Sequence, residues 1–175
     1  WEGNSHFFDY KDFFLTFCKE QPVVDFAFRP HPLCLQNLLR TGELTAKDLS
    51  HMEREYETSF NMIVDKSEAY QDTFLTSDIL VSDISSMMFE YFATGKPIIY
   101  THRVDGFNEL GRKLSEAFYW VRNAIELKQT LEMLMSGHDP LHRKRQELMK
   151  EVLFIPEGGS GSYVKGVILN NFNSI

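Results

Sequence analysis

Cysteine is scarce. Cys18 and Cys34 are the only two in 175 residues. They lack metal-ligand spacing and read as small buried apolar residues of a reducing compartment. Basic residues are also in deficit, with 18 Lys and Arg against 25 Asp and Glu and a formal net charge of −7. That balance argues against a broad nucleic-acid-binding surface, yet leaves room for a small anion held by a few local donors. No apolar run approaches the roughly 20 residues needed to cross a bilayer. Repeats and low-complexity tracts are missing, as are a signal peptide, a G-x-S-x-G elbow, a Walker-type lysine loop and the glycine fingerprint of nicotinamide-binding folds. His6, His51, His102 and His138 fall at no ligand spacing, so no metal site is expected. The chain begins at Trp1 and not at Met. We therefore expect a fragment of a longer two-domain protein, able to carry half of a site.

What is present is apolar and aromatic. Hydrophobic residues make up 43% of the chain, with 15 Phe and 7 Tyr, enough to fill a core and to argue against disorder. Short unbroken apolar runs alternate with helical patterns. The runs are VVDFAF (23–28), NMIV (61–64), DILVS (78–82), PIIY (97–100) and FYWV (118–121). Helices are expected at 7–19, 33–40, 45–58, 67–76, 85–94, 124–136, 140–151 and 162–171, and HRVDGFNELGR (102–112) reads as a polar loop. Such alternation indicates an α/β fold, a Rossmann-like parallel sheet with helices on both faces, here as one domain over residues 1–175. In such sheets ligands bind beyond the carboxyl ends of the strands.

Three stretches carry chemistry. DILVS ends at Asp83, and Ser85 and Ser86 open the next helix. Free N–H groups, a partial positive charge and two hydroxyls there suit a phosphate. Glu90 lies four residues past Ser86 on the same face, where a carboxylate can accept bonds from ribose hydroxyls. Asp83 and Ser85 equally suit plain helix capping. In FRPHP (28–32), Pro30 and Pro32 hold Arg29 and His31 extended, side by side at the sheet edge. Arg29 offers a planar fork of donors to phosphate, and His31 can donate to a phosphoryl oxygen or move a proton. A rigid turn whose Arg pairs with a nearby carboxylate is the competing reading. In EGGSGS (157–162), the glycines allow close backbone approach and Ser160 and Ser162 can cap the last helix or touch phosphate. The basic cluster HRKR (142–145) reads as a solvated helix face.

Together these stretches resemble the CDP-glycerol glycerophosphotransferase family, the teichoic-acid primases and polymerases. Members carry an x-x-H-P turn after a strand, a segment like S-D-x-L-[IV]-[ST]-D-[YI]-S-S followed by x-x-F-[DE] and a K-[PR]-[IM] strand, and D-G-x-[AS]-S before a late helix. This chain has RPHP, SDILVSDISSMMFEYFATGKPIIY and GGSGS. The resemblance runs from about residue 23 to the end. It implies a C-terminal nucleotide-binding half with the fold of the two-domain glycosyltransferases of the B type. It also implies transfer of glycerol phosphate from CDP-glycerol, or a similar polyol phosphate from another nucleotide-diphosphate donor, to a hydroxyl of a membrane-anchored polymer or lipid acceptor. On it, His31 is the required histidine with Arg29 on phosphate, Ser85 and Ser86 hold the diphosphate, and Ser162 is the phosphate-side serine of the last motif. The sequence departs from the family at Glu90, where many members have Asp, at Ile84, often Tyr, and in the last motif, whose usual acidic residue is replaced by Gly158 or displaced to Glu157. Beyond the donor itself no cofactor is expected. The expected location is cytoplasmic, at the inner face of the membrane. A sugar-nucleotide-dependent glycosyltransferase and a non-catalytic nucleotide-binding module are the alternatives.

Overall fold

The computed structural model describes residues 7–102, 106–153 and 156–172. Among these the chain runs α1 (Phe7–Glu20), β1 (Phe26–Phe28), α2 (Pro32–Thr41), α3 (Ala46–Thr58), β2 (Met62–Val64), α4 (Tyr70–Thr76), β3 (Leu80–Ser82), α5 (Met87–Phe92), β4 (Ile98–Thr101), α6 (Glu109–Ser115), β5 (Tyr119–Val121), α7 (Ala124–Met135), α8 (His142–Val152) and α9 (Ser160–Phe172). Every strand pairing is parallel, in two ladders. One joins β1 to β2, with Phe26 opposite Met62. The other has the order β3-β4-β5, with Ser82 opposite Tyr100 and Tyr100 opposite Trp120. The fold is α/β and Rossmann-like.

The two-faced burial expected of a parallel sheet is clearest at β4, all four of whose residues are buried. Side chains alternate along a strand. Ile98 and Tyr100 therefore pack with Met88, Tyr91 and Phe92 of α5, Leu114 of α6 and Leu148 of α8. Ile99 faces the other way, with Val121 of β5, Tyr10 and Phe17 of α1, and Leu127, Leu131 and Leu134 of α7. The β1–β2 ladder has its own core. Cys18 of α1, Met52 and Tyr56 of α3, and Met62 pack there with Phe26 and Phe28. Burial pushes the Cys18 thiol up to about 11, so it stays an inert apolar filler.

Several elements differ from the sequence reading, each for a local reason. VVDFAF pairs only at its last three residues: Val24 N–H donates to Gln21 O at 3.0 Å in a turn, and Val23 is exposed. Buried Asn61 fixes that turn, its Nδ2 donating to Cys18 O (2.9 Å) and Val24 O (2.8 Å). The helix expected from residue 67 starts at Tyr70, because Ser67 is held by Asp65. The α5 helix is shorter than expected: it ends at Phe92 with Ala93 as its C-cap, and Gly95, at φ 74°, closes the turn beyond it. The loop expected at 102–112 lies in part outside the described residues, at 103–105, and its end folds as α6. There Asn108 Oδ1 accepts from Gly111 N–H at 2.8 Å as an N-cap. HRKR is not wholly a solvated face, since Arg145 is fully buried.

Candidate functional site

Arg29 follows β1 directly. Its Nη1 donates to Asp65 Oδ2 at 2.8 Å, its Nη2 to Ser67 O at 2.6 Å, and its guanidinium lies 5.8 Å from the centre of the Tyr70 ring. Of the two readings open for Arg29, the carboxylate pair is present. Asp65 follows β2 in the same way, and the β1–β2 register brings the two strand ends level. Asp65 also accepts from Ser67 N–H (3.0 Å), Ser67 Oγ (2.6 Å) and Thr73 Oγ1 (2.6 Å). Burial raises its carboxyl, but the bonds from Ser67, Thr73 and Arg29 outweigh burial and hold it well below the usual carboxylate range.

His31 is extended, at φ −60° and ψ 132°, as its two flanking prolines require. It caps α2: its Nδ1 accepts from Leu33 N–H at 3.1 Å. A neutral imidazole that accepts at Nδ1 carries its proton on Nε2. In this arrangement the ring can donate from Nε2.

The turn after β3 is organised by its own serines. Ser82 Oγ donates to Asp83 O at 2.8 Å, and Ser85 Oγ accepts from Met87 N–H at 3.2 Å, closing the turn just before α5. Ser86 occupies the exposed N-cap position with helical backbone and no side-chain capping bond. Ile84 sits under the loop that follows β4. A Cβ added at Gly106 would lie 2.6 Å from Ile84 Cδ1, so only glycine allows that approach unchanged.

Glu90 joins the two regions. Its Oε2 accepts from Tyr70 Oη at 2.5 Å, and the Arg29 guanidinium lies over the Tyr70 ring. Arg29, Glu90 and the His31 turn are thereby linked through Tyr70, and Glu90 stands one turn along α5 from Ser86. Ser160 and Ser162 are not part of this group. They lie exposed in the first turn of α9, after Gly158 and Gly159 at φ 80° and 87°, and no hydrogen bond among the described residues ties them to the other candidates. Sequence reasoning missed Asp65 and Tyr70. Asp65 had a signal, as the residue just past a strand; Tyr70 had none.

A cavity of about 220 Å³ lies elsewhere, between α1 and α3, lined by Phe8, Lys11, Glu43, Met52 and Tyr56 among others, and it includes none of the candidates. Among the described residues no cluster of three His, Cys, Asp or Glu suits a metal ion, and no helix is long and apolar enough to cross a membrane.

No curated protein and no solved structure matches this chain. A family model does match, over residues 8–164, and it contains every candidate residue from Arg29 to Ser162. Its description is CDP-glycerol:poly(glycerophosphate) glycerophosphotransferase, a family of transferases, and the chain belongs to that family.

Proposed function

We propose that this chain is the donor-binding half of a longer transferase. It takes CDP-glycerol, or a close polyol relative, and passes the polyol phosphate to a hydroxyl of a membrane-anchored polymer at the inner face of the membrane. The observation that carries this reading is the contact from Arg29 through Tyr70 to Glu90, which ties the turn after β1 to the helix after β3 in a chain of this family. In the reaction the acceptor oxygen forms a bond to the distal phosphorus. The bond from that phosphorus to the CMP oxygen breaks, and the acceptor proton passes to a base. Negative charge spreads over the phosphoryl oxygens, so catalysis rests on positioned donors.

His31 Nε2–H serves as one such donor, because the α2 cap occupies Nδ1. The base then lies on another residue, one candidate region being the partner half of the protein. Arg29 is presented by Asp65, with Ser85 and Ser86 at the diphosphate and Glu90 at the ribose. A thermal-shift series with CDP-glycerol, CDP-ribitol and UDP-sugars tests the reading, since stabilisation follows RT ln(1 + [L]/Kd). Stabilisation by the cytidine donors is expected. Stabilisation by UDP-sugars alone would instead make the chain a glycosyltransferase donor domain.

A further inference from the structure

Glu90 is assigned above to ribose hydroxyls, yet its carboxylate already receives a hydroxyl donor, from Tyr70 at 2.5 Å. A phenol and a ribose hydroxyl offer a carboxylate the same thing, one O–H. Both Glu90 and the bond itself are solvent-exposed. A phenol released from such a bond passes to water at little cost, whereas a permanent strut is normally buried. The hydrogen bond to Glu90 raises the Tyr70 phenol above its ordinary value, so at neutral pH it remains a donor. Tyr70 is the first residue of α4, and the N-cap Ala69 makes no side-chain bond. Its ring stays anchored independently of the hydroxyl, packed edge-on to Phe74 at 5.1 Å and over Arg29.

We propose that the Tyr70 hydroxyl is a stand-in for ligand: it occupies Glu90 in the empty site, and a nucleotide bearing a ribose diol displaces it. Tyr70 is then a specificity residue. Every ligand that reaches Glu90 must outcompete a hydroxyl already in place, and only one with its own hydroxyls there does so. The inference rests on the reading of Glu90 as the ribose-binding carboxylate.

The test is calorimetric titration of the chain and of Tyr70→Phe with CDP and with 2′,3′-dideoxy-CDP. Phenylalanine keeps the ring over Arg29 and against Phe74 and removes only the competing hydroxyl, and far-UV circular dichroism checks that the variant is folded. CDP is expected to bind Tyr70→Phe about five- to tenfold more tightly than the unaltered chain, the gain following from one hydrogen bond that no longer has to be exchanged. The dideoxy nucleotide is expected to bind both proteins alike. Equal CDP affinity in the two proteins overturns the proposal and leaves the donor site standing. Weaker binding to Tyr70→Phe overturns it too, making Tyr70 a fixed support for Glu90. An equal gain for both nucleotides would show exclusion by bulk alone. If neither nucleotide binds either folded protein, the donor-site reading fails and the inference fails with it.

Discussion

Arg29–Asp65 and Arg145–Asp139 are both arginine–aspartate pairs, the first at the carboxyl ends of β1 and β2, the second near the amino ends of β4 and β5. In the second pair the arginine is fully buried. Arg145 bonds Asp139 through Nη2 and Gly95 O through Nε at 2.7 Å, and Tyr119 Oη donates to Asp139 Oδ1 at 2.6 Å. Its Nη1 is buried with no hydrogen-bond partner among the described residues. In the first pair the aspartate is nearly buried and saturated, while the arginine side chain keeps 21% of its exposure and an aromatic ring beside it. A charge enclosed from all sides fixes neighbouring elements to one another. A charge fixed from one side remains available to a ligand. The buried pair belongs to the scaffold and the half-open pair to the proposed donor site.

The largest expected effect lies in the scaffold. Arg145→Ala leaves Asp139 short of its cation and frees the carbonyl of Gly95, and is expected to cost about 3–5 kcal/mol in urea unfolding. Arg29→Ala leaves Asp65 with three bonds from Ser67 and Thr73 and should cost only about 1 kcal/mol. Equal losses for the two would break the distinction.

Next comes His31. His31→Ala removes both the α2 cap and the Nε2 donor. It is expected to lower turnover of the complete transferase by about 10²–10³, the range for one oxyanion donor, and stability by about 1 kcal/mol. His31→Asn separates the two roles. Asparagine is a good N-cap and should restore the stability without the turnover. Turnover restored along with the cap would reduce His31 to a structural residue.

Asp65 makes the site pair sensitive to pH. Its carboxyl sits lower in the folded chain than in the unfolded one, so the unfolded state takes up more protons as pH falls. The stability it contributes is complete above the unfolded value, about pH 4, and drains away as pH drops towards the lower folded value. Asp65→Asn should therefore flatten the acid limb of a stability–pH curve while leaving a smaller, pH-independent loss. An unchanged acid limb would mean that the carboxylate is not held as its four donors imply.

Much of this was legible in one dimension, and what was not has a common cause. PIIY is an unbroken apolar run because β4 is covered on both faces. Gly95 marked the turn that follows α5 because a positive φ there favours glycine. The turns after β1 and β3 could be found from strand ends and prolines alone. Partners distant in sequence could not. Arg29 meets Asp65 across 36 positions and Tyr70 meets Glu90 across 20, and no local pattern encodes either choice. Arg145 was hidden by its neighbours: in HRKR only the fold decides which of four basic residues turns inward. The α6 helix was missed because two leucines, Leu110 and Leu114, are too few to set a period.

The smallest effects set one glycine from each region side by side. At Gly95, φ is 74° and an added Cβ would lie 2.9 Å from Gln146 Nε2. The side-chain amide can move, but the left-handed backbone cannot be relieved, so Gly95→Ala is expected to cost about 1–2 kcal/mol of stability. At Gly106 the obstacle is only the tip of Ile84, at 2.6 Å. Rotating that tip off its preferred angle costs about 0.5–1.5 kcal/mol. Ile84 lies between Asp83 and Ser85, so Gly106→Ala presses on the proposed donor turn through a side chain at the edge of the core. Its expected signature is a few-fold weaker affinity for CDP with a melting temperature close to that of the unaltered chain. Gly95→Ala should show the reverse, a lower melting temperature with CDP affinity kept in the folded fraction. Should Gly106→Ala prove the more destabilising of the two, the loop after β4 is part of the scaffold, and the boundary between scaffold and site has to be redrawn around Ile84.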